Sequence, residues 1–267
     1  MGFPRFFNLI KILRIGAWSM ARVKKTTSTR MGMVVEEYQH GRYGAPGNKR
    51  EQKRALTPEE MQRQNQWQKE KRTWVRLMHY FEKNDYFMTL TYQKEERPAD
   101  MKEAKEHFRR FREKVRKEYK KRGYELRWIR NIEVGSKGAW HIHVIVNRIP
   151  DADIILRAAW PYGKMVCQLM YEQGSFRDLA AYITKTPRTD RRLKESDFDC
   201  GRNMPLPEPD KKVYKHWRKE ILVPRGYYLD KDSLREGRNP VTDYPYRVYA
   251  LIRIGPGEKK GGGNRGE

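Results

Sequence analysis

The chain has 267 residues, with 58 Lys and Arg against 34 Asp and Glu for a formal charge of +24, and 12% of it is aromatic. That length accommodates one sizeable domain with extensions. The aromatic content excludes a wholly disordered basic polypeptide, so the excess charge belongs to a folded protein with a polyanionic partner, nucleic acid ahead of an anionic membrane surface.

Phe3 to Trp18 mixes apolar residues with Arg5, Lys11 and Arg14. It is too short and interrupted to span a bilayer, so no stable membrane insertion is expected. It reads either as a basic amphipathic segment on a membrane surface or as a leader ahead of a start at Met20. Residues 1–56 together read as a basic N-terminal arm, partly disordered. Within it, residues 21–56 are rich in turn formers and charge, predicting an extended segment lying on something else rather than a packed unit.

Thr57-Pro58-Glu59-Glu60 starts a helix that runs to about Tyr80 and opens the main domain, residues 57–190. Tyr86 to Tyr92 is an aromatic and β-branched strand with Thr89 and Thr91 on one face. Asp100 opens an amphipathic helix through Met101, Ala104, Phe108, Phe111 and Val115 that ends at Gly123. Tyr124 to Glu133 and Trp140 to Asn147 form a hairpin around Gly135-Ser136-Lys137-Gly138. A short helix near Ile154 to Trp160 and a strand from Lys164 to Tyr171 follow, then a helix capped by Ser175 that runs to about Thr186 before Pro187. This order predicts an α+β fold, an antiparallel sheet with helices on one face. Residues 191–254 form a C-terminal extension with a proline-rich linker at 202–209, and residues 213–254 add strands or a small cap. Residues 255–267 form a disordered Gly- and Lys-rich tail. Cys167 and Cys200 stand in no metal-like spacing, which points to reduced thiols and a cytoplasmic location.

The chemistry concentrates in Trp140-His141-Ile142-His143-Val144-Ile145-Val146. On a strand both imidazoles leave from one face. Folding the hairpin about Lys137 sets Glu133 opposite His141, so two imidazoles and a carboxylate converge. That set suits Mg²⁺ or Mn²⁺ and can hold Zn²⁺. On the last helix, Tyr182 and Lys185 share a face with Asp178. A phenol becomes a useful nucleophile when a cation and a charge-neutralised phosphate lie near it. The ordinary alternative is a surface helix with an amphipathic tyrosine and a solvated lysine.

Three stretches in order, Phe87-Met88-Thr89-Leu90-Thr91-Tyr92, His141-Ile142-His143 and Tyr182-Ile183-Thr184-Lys185, resemble the motifs of the HUH endonucleases. The resemblance is closest to the rolling-circle replication initiator (Rep) proteins of bacterial plasmids, phages and related mobile elements, and covers about residues 85 to 187. It implies a ferredoxin- or RRM-like fold and a divalent cation held by His141, His143 and Glu133. It implies Tyr182 as a nucleophile that nicks one DNA strand, keeping the 5′-phosphate and freeing a 3′-OH, with Lys185 assisting at the scissile phosphate. The implied substrate is single-stranded DNA at a replication origin. Only one tyrosine falls in the motif, with Tyr171 a distant reserve. No Gly-x-x-x-x-Gly-Lys-Ser/Thr loop occurs, so unwinding is expected from a host helicase and synthesis from a host polymerase. A single-tyrosine HUH transposase, a zinc-dependent hydrolase and a non-catalytic module binding single-stranded nucleic acid are the alternatives. Oligomeric state is left open.

Overall fold

The computed structural model describes residues 22–39, 55–170, 175–238 and 244–254. In chain order these contain β1 (Arg22–Ser28), β2 (Gly32–Gln39), α1 (Pro58–Tyr80), β3 (Tyr86–Thr91), α2 (Met101–Lys121), β4 (Trp128–Gly135) and β5 (Trp140–Val146). They continue with α3 (Ala152–Ala159), β6 (Met165–Leu169), α4 (Arg177–Ile183), β7 (Leu193–Cys200), β8 (Asp210–Tyr214), β9 (Tyr227–Arg238) and β10 (Pro245–Arg253). The leader, residues 40–54, Tyr171 and the 255–267 tail lie outside the described residues. Among those described, no helix is long and apolar enough to cross a membrane.

The strands form two antiparallel sheets in the orders β6-β3-β5-β4-β7 and β8-β1-β2-β10-β9. The expected α+β fold on an antiparallel sheet is present. Helix α1 begins at a capping box, in which Thr57 Oγ1 accepts from the Glu60 amide and the Glu60 carboxylate accepts from the Thr57 amide. Asp100 caps α2 by accepting from the Glu103 amide. The apolar stripe of α2 (Ala104, Phe108, Phe111, Val115) packs with Leu156 of α3 onto Met88, Leu90, Ile132, Ile142 and Val144, one face of the first sheet.

The opposite face is covered too, so helices lie on both faces of this sheet rather than on one as expected. Trp74, Leu77 and Met78 of α1 and Ala180 and Ile183 of α4 pack on Ile129 and Ile145, and the same cluster continues into Val34, Val248, Ala250 and Ile252 of the second sheet. The layers therefore run α2 and α3, first sheet, α1 and α4, second sheet. Trp74 is 1% exposed and its indole N–H donates to the Ser175 carbonyl at 2.7 Å, which ties α1 to the start of α4.

Three segments differ from expectation. Residues 22–39 are a packed hairpin rather than an arm lying on something else. The charges that suggested a solvated segment face each other across it, with Lys24 opposite Glu37 and Lys25 opposite Glu36. Residues 193–200, read as polar extension, form the edge strand β7 beside β4. The proline-rich stretch is pinned rather than free, because the Met204 carbonyl accepts from Arg76 Nε and the Pro205 carbonyl from the Tyr80 hydroxyl. The strands expected within 213–254 are present as β9 and β10.

Two constraints hold the second sheet together. A Cβ at Gly32 would stand 2.0 Å from the Leu251 carbonyl oxygen, so β2 meets β10 there only without a side chain. Glu37 is buried, accepting from Arg247 Nη2 at 2.9 Å and from the Tyr249 hydroxyl at 2.8 Å, with Arg22 Nη1 3.5 Å away. Removing this carboxylate leaves the buried Arg22 guanidinium without its acid and Arg247 with only the more distant Glu236, 3.9 Å away, and Glu37→Gln is expected to cost about 3–5 kcal/mol of unfolding free energy in urea titration.

Candidate active site

The β4–β5 hairpin turns through a three-residue loop in which the Gly138 amide donates to the Gly135 carbonyl at 2.9 Å and Gly138 takes φ 70°, a conformation that favours a residue without Cβ. That loop fixes the register. Glu133 lies opposite His141 and Asn131 opposite His143, as the hairpin fold predicts from sequence. On the other side of β5, Thr91 pairs with His141 and Thr89 with His143. On the other side of β4, Ser196 pairs with Glu133 and Phe198 with Asn131. Strand pleating sends all of these to the face that carries α1 and α4.

Helix α4 brings the rest. Its start differs from the expected Ser175 cap: the N-cap is Phe176 in the left-handed region, φ 59°, with no side-chain cap, and the Ser175 amide donates instead to Asp230. It also ends earlier than expected, at Ile183, where the Thr184 hydroxyl donates back to the Ala180 carbonyl at 2.7 Å. The early end lets the next residues fold down onto the sheet. The Lys185 carbonyl accepts from Asn131 Nδ2 at 3.3 Å and from the Ser196 hydroxyl at 3.4 Å.

Four of the five expected site residues meet directly. The Tyr182 hydroxyl is 3.4 Å from His143 Nε2, and its ring meets those of His143 and Phe87 edge-on, with centroids 5.4 and 5.8 Å away. Lys185 Nζ lies 3.1 Å from Glu133 Oε2, 3.8 Å from Asp190 Oδ2 and 4.4 Å above the Tyr182 ring. Glu133 Oε2 is 3.5 Å from His143 Nε2, and Glu133 Oε1 accepts from Asn131 Nδ2 at 2.9 Å. His141, half-buried on the same face, has its ring centroid 6.3 Å from that of His143. Tyr182 is 41% exposed whereas Glu133 and His143 are buried, so the phenol is the part of the cluster a polymer can reach. Asp178 does not join; its side chain is 78% exposed beside Arg177.

The surroundings set the charge states. Burial alone would push the Glu133 carboxyl up, but hydrogen bonding to His143 and the Lys185 ammonium hold it below the usual carboxylate range. Burial, with His143 adding to it, lowers the His141 imidazole below its ordinary value, which favours the neutral, metal-ligating form. Hydrogen bonds from Arg192 keep Asp190 well below the usual range. Thr89 Oγ1 lies 3.1 Å from His143 Nδ1 and can donate to or accept from it, so it can support a proton on either ring nitrogen.

Asn131, Ser196, Thr89 and Asp190 are the site residues that sequence reasoning did not assign. Asn131 was within reach of it, two residues before Glu133 and hence on its face. Ser196 and Asp190 depend on a strand and a turn that the sequence did not reveal.

The donor set is chemically suited to a divalent cation. The separation of Glu133 Oε2 and His143 Nε2, 3.5 Å, is close to that of two ligands around one ion with bonds of about 2.1 Å. Among the described residues, no three His, Cys, Asp or Glu side chains already converge as a ligand set, and the cation paired with Glu133 is Lys185.

Residues 85–187 match the family of replication-associated proteins ORF2/G2P. No curated protein and no solved structure gives a significant match. The matched stretch runs from β3 to just past α4 and holds Glu133, His141, His143, Tyr182 and Lys185, and it supports a replication-associated function for the chain.

Replacing the ammonium removes an opposing charge from a buried carboxylate. Lys185→Met is expected to raise the Glu133 carboxyl pKa, read by ¹³C NMR titration of labelled glutamate; an unmoved value would mean that the pair is not felt in solution.

Proposed function

We propose that the protein is a rolling-circle replication initiator of the HUH endonuclease type, nicking one strand of origin DNA by tyrosine transesterification. The observation that carries this reading is the exposed Tyr182 hydroxyl, 3.4 Å from His143 Nε2 and beneath the Lys185 ammonium. A phenol so placed has its phenolate stabilised by a neighbouring positive charge. The family match across the same stretch points the same way.

In this reading Glu133, His141 and His143 are the residues that would hold Mg²⁺ or Mn²⁺. Such a cation would supply Lewis acidity at the scissile phosphate. Tyr182 loses its proton to solvent and its oxygen attacks phosphorus, forming the O–P bond of a 5′-phosphotyrosine while the bond to the 3′ oxygen breaks. The leaving oxygen takes a proton and departs as a 3′-OH, with Lys185 offsetting its developing charge. Asn131 and Ser196 hold the Lys185 backbone so that its side chain stays beside the phenol. Transesterification conserves the phosphodiester, so rejoining needs no nucleotide.

Incubating the full chain with labelled single-stranded origin DNA and Mn²⁺ is expected to give a denaturation-resistant protein–DNA adduct that is lost in Tyr182→Phe and in EDTA, with DNA affinity in Tyr182→Phe nearly unchanged. Persistence of cleavage in Tyr182→Phe would remove the mechanism. Thr89→Val, which withdraws the hydroxyl from His143 Nδ1, is expected to weaken Mn²⁺ binding about 10- to 100-fold in calorimetry without DNA.

A further inference from the structure

The row of side chains through His143 and Asn131 continues past the reacting groups. Phe198 of β7 stands next to Asn131, two strands from His143 and therefore roughly 10 Å from it on the same face. Between Phe198 and the outer side of α1 lies a groove of about 410 Å³. Lys69, Arg72 and Arg76 line it, and no acidic residue does. Arg72 makes no ion pair among the described residues, and Arg76 spends only its Nε, on the Met204 carbonyl at 3.0 Å. Lys69 sits over the Phe198 ring, 5.0 Å from its centroid. At the floor, Thr73 is 1% exposed and its hydroxyl has no hydrogen-bond partner, which is costly for a buried polar group unless something else supplies one.

A ring face, a buried hydroxyl without a partner and three cations that make no close ion pair among the described residues, although Lys69 feels the Glu70 and Asp197 carboxylates at longer range, gathered in one groove, match a nucleotide: a base for the ring, phosphate oxygens for the cations. We propose that this α1–β7 groove is the binding track for single-stranded DNA next to the scissile phosphate, with a base stacked on Phe198 and the backbone held by Lys69, Arg72 and Arg76. The proposal rests on the reading of single-stranded DNA as the substrate. The helix that lines the groove also reaches the site, since Gln66 on the neighbouring stripe of α1 donates to the Thr184 carbonyl, one residue before Lys185. Burial makes the Lys69 ammonium costlier than in water, a cost that a phosphate would offset. Entry of a base would shift Lys69 from the ring toward the strand.

The test uses the full chain carrying Tyr182→Phe, so that binding is read without cleavage, and a fluorescein-labelled oligo-dT in anisotropy titrations at several salt concentrations. Lys69→Gln with Arg72→Gln is expected to lower affinity about tenfold at low salt and to reduce the slope of log K against log salt by about 1.4. Phe198→Leu, which keeps apolar volume but removes the ring face, is expected to lower affinity about tenfold with the slope unchanged. Lys114→Gln with Lys117→Gln, on the outer face of α2, is the charge control and should have a much smaller effect. Wild-type affinity and slope in folded groove variants would overturn the proposal, as would an equal loss in the α2 control. Adduct formation by the parent chain, measured separately, distinguishes the outcomes. No adduct with weakened groove variants leaves the groove standing and removes the nicking reading. A Tyr182 adduct with groove variants that bind normally does the reverse.

Discussion

Everything at the candidate site depends on the hydrogen-bonded register between β4 and β5. Side chains alternate along a strand, so a slip of one residue in either would send its contribution through the sheet into the apolar layer under α2. Glu133 and His141 would then no longer face each other. The short loop closed by Gly138 prevents that slip locally. Pairing of β3 and β7 on the outer sides extends the same rows, bringing Thr89 to His143 and Ser196 to Glu133. Chemistry that needs an acid, an imidazole and their positioning groups within a few ångströms is thus set by backbone hydrogen bonds, with the side chains only filling positions already fixed.

The half of the site built by neighbours in sequence was legible, and the half built by distant partners was not. The constant-sum rule of an antiparallel hairpin was enough to put Glu133 against His141. Spacing along a helix put Tyr182 and Lys185 together, but for an incomplete reason. The helix stops at Ile183, and Lys185 reaches its place from the turn beyond, held by Asn131 and Ser196. The same spacing argument wrongly drew in Asp178. The second sheet escaped for a related reason. Glu37 and Arg247 satisfy each other across 210 residues of chain, and each alone reads as an ordinary surface charge. The β-branched residues of the first hairpin were hidden among lysines and glutamates that pair across it.

The placement of charge also bears on what the molecule meets. In a chain with a formal charge of +24, Glu37 and Glu133 are buried against basic partners. Their negative charge is therefore screened from solvent by the cations beside them. The Lys185–Glu133 pair has a second effect, because an ion pair shielded from water keeps each partner from wandering. The ammonium waits next to the phenol rather than sampling the solvent.

Helix α1 lies between the two sheets, its apolar residues shared by one cluster that reaches Ile129 and Ile145 on one side and Val34, Val248 and Ala250 on the other. A helix with so little free apolar surface cannot be assigned to either half. Trimming the chain to the stretch that carries the chemistry would strip the roof from Ile129, Ile145 and Phe87 and leave a greasy slab open to water, so such a fragment would be expected to clump into inclusion bodies. The smallest soluble version of this protein should need the strands that precede and follow that stretch packed around its middle.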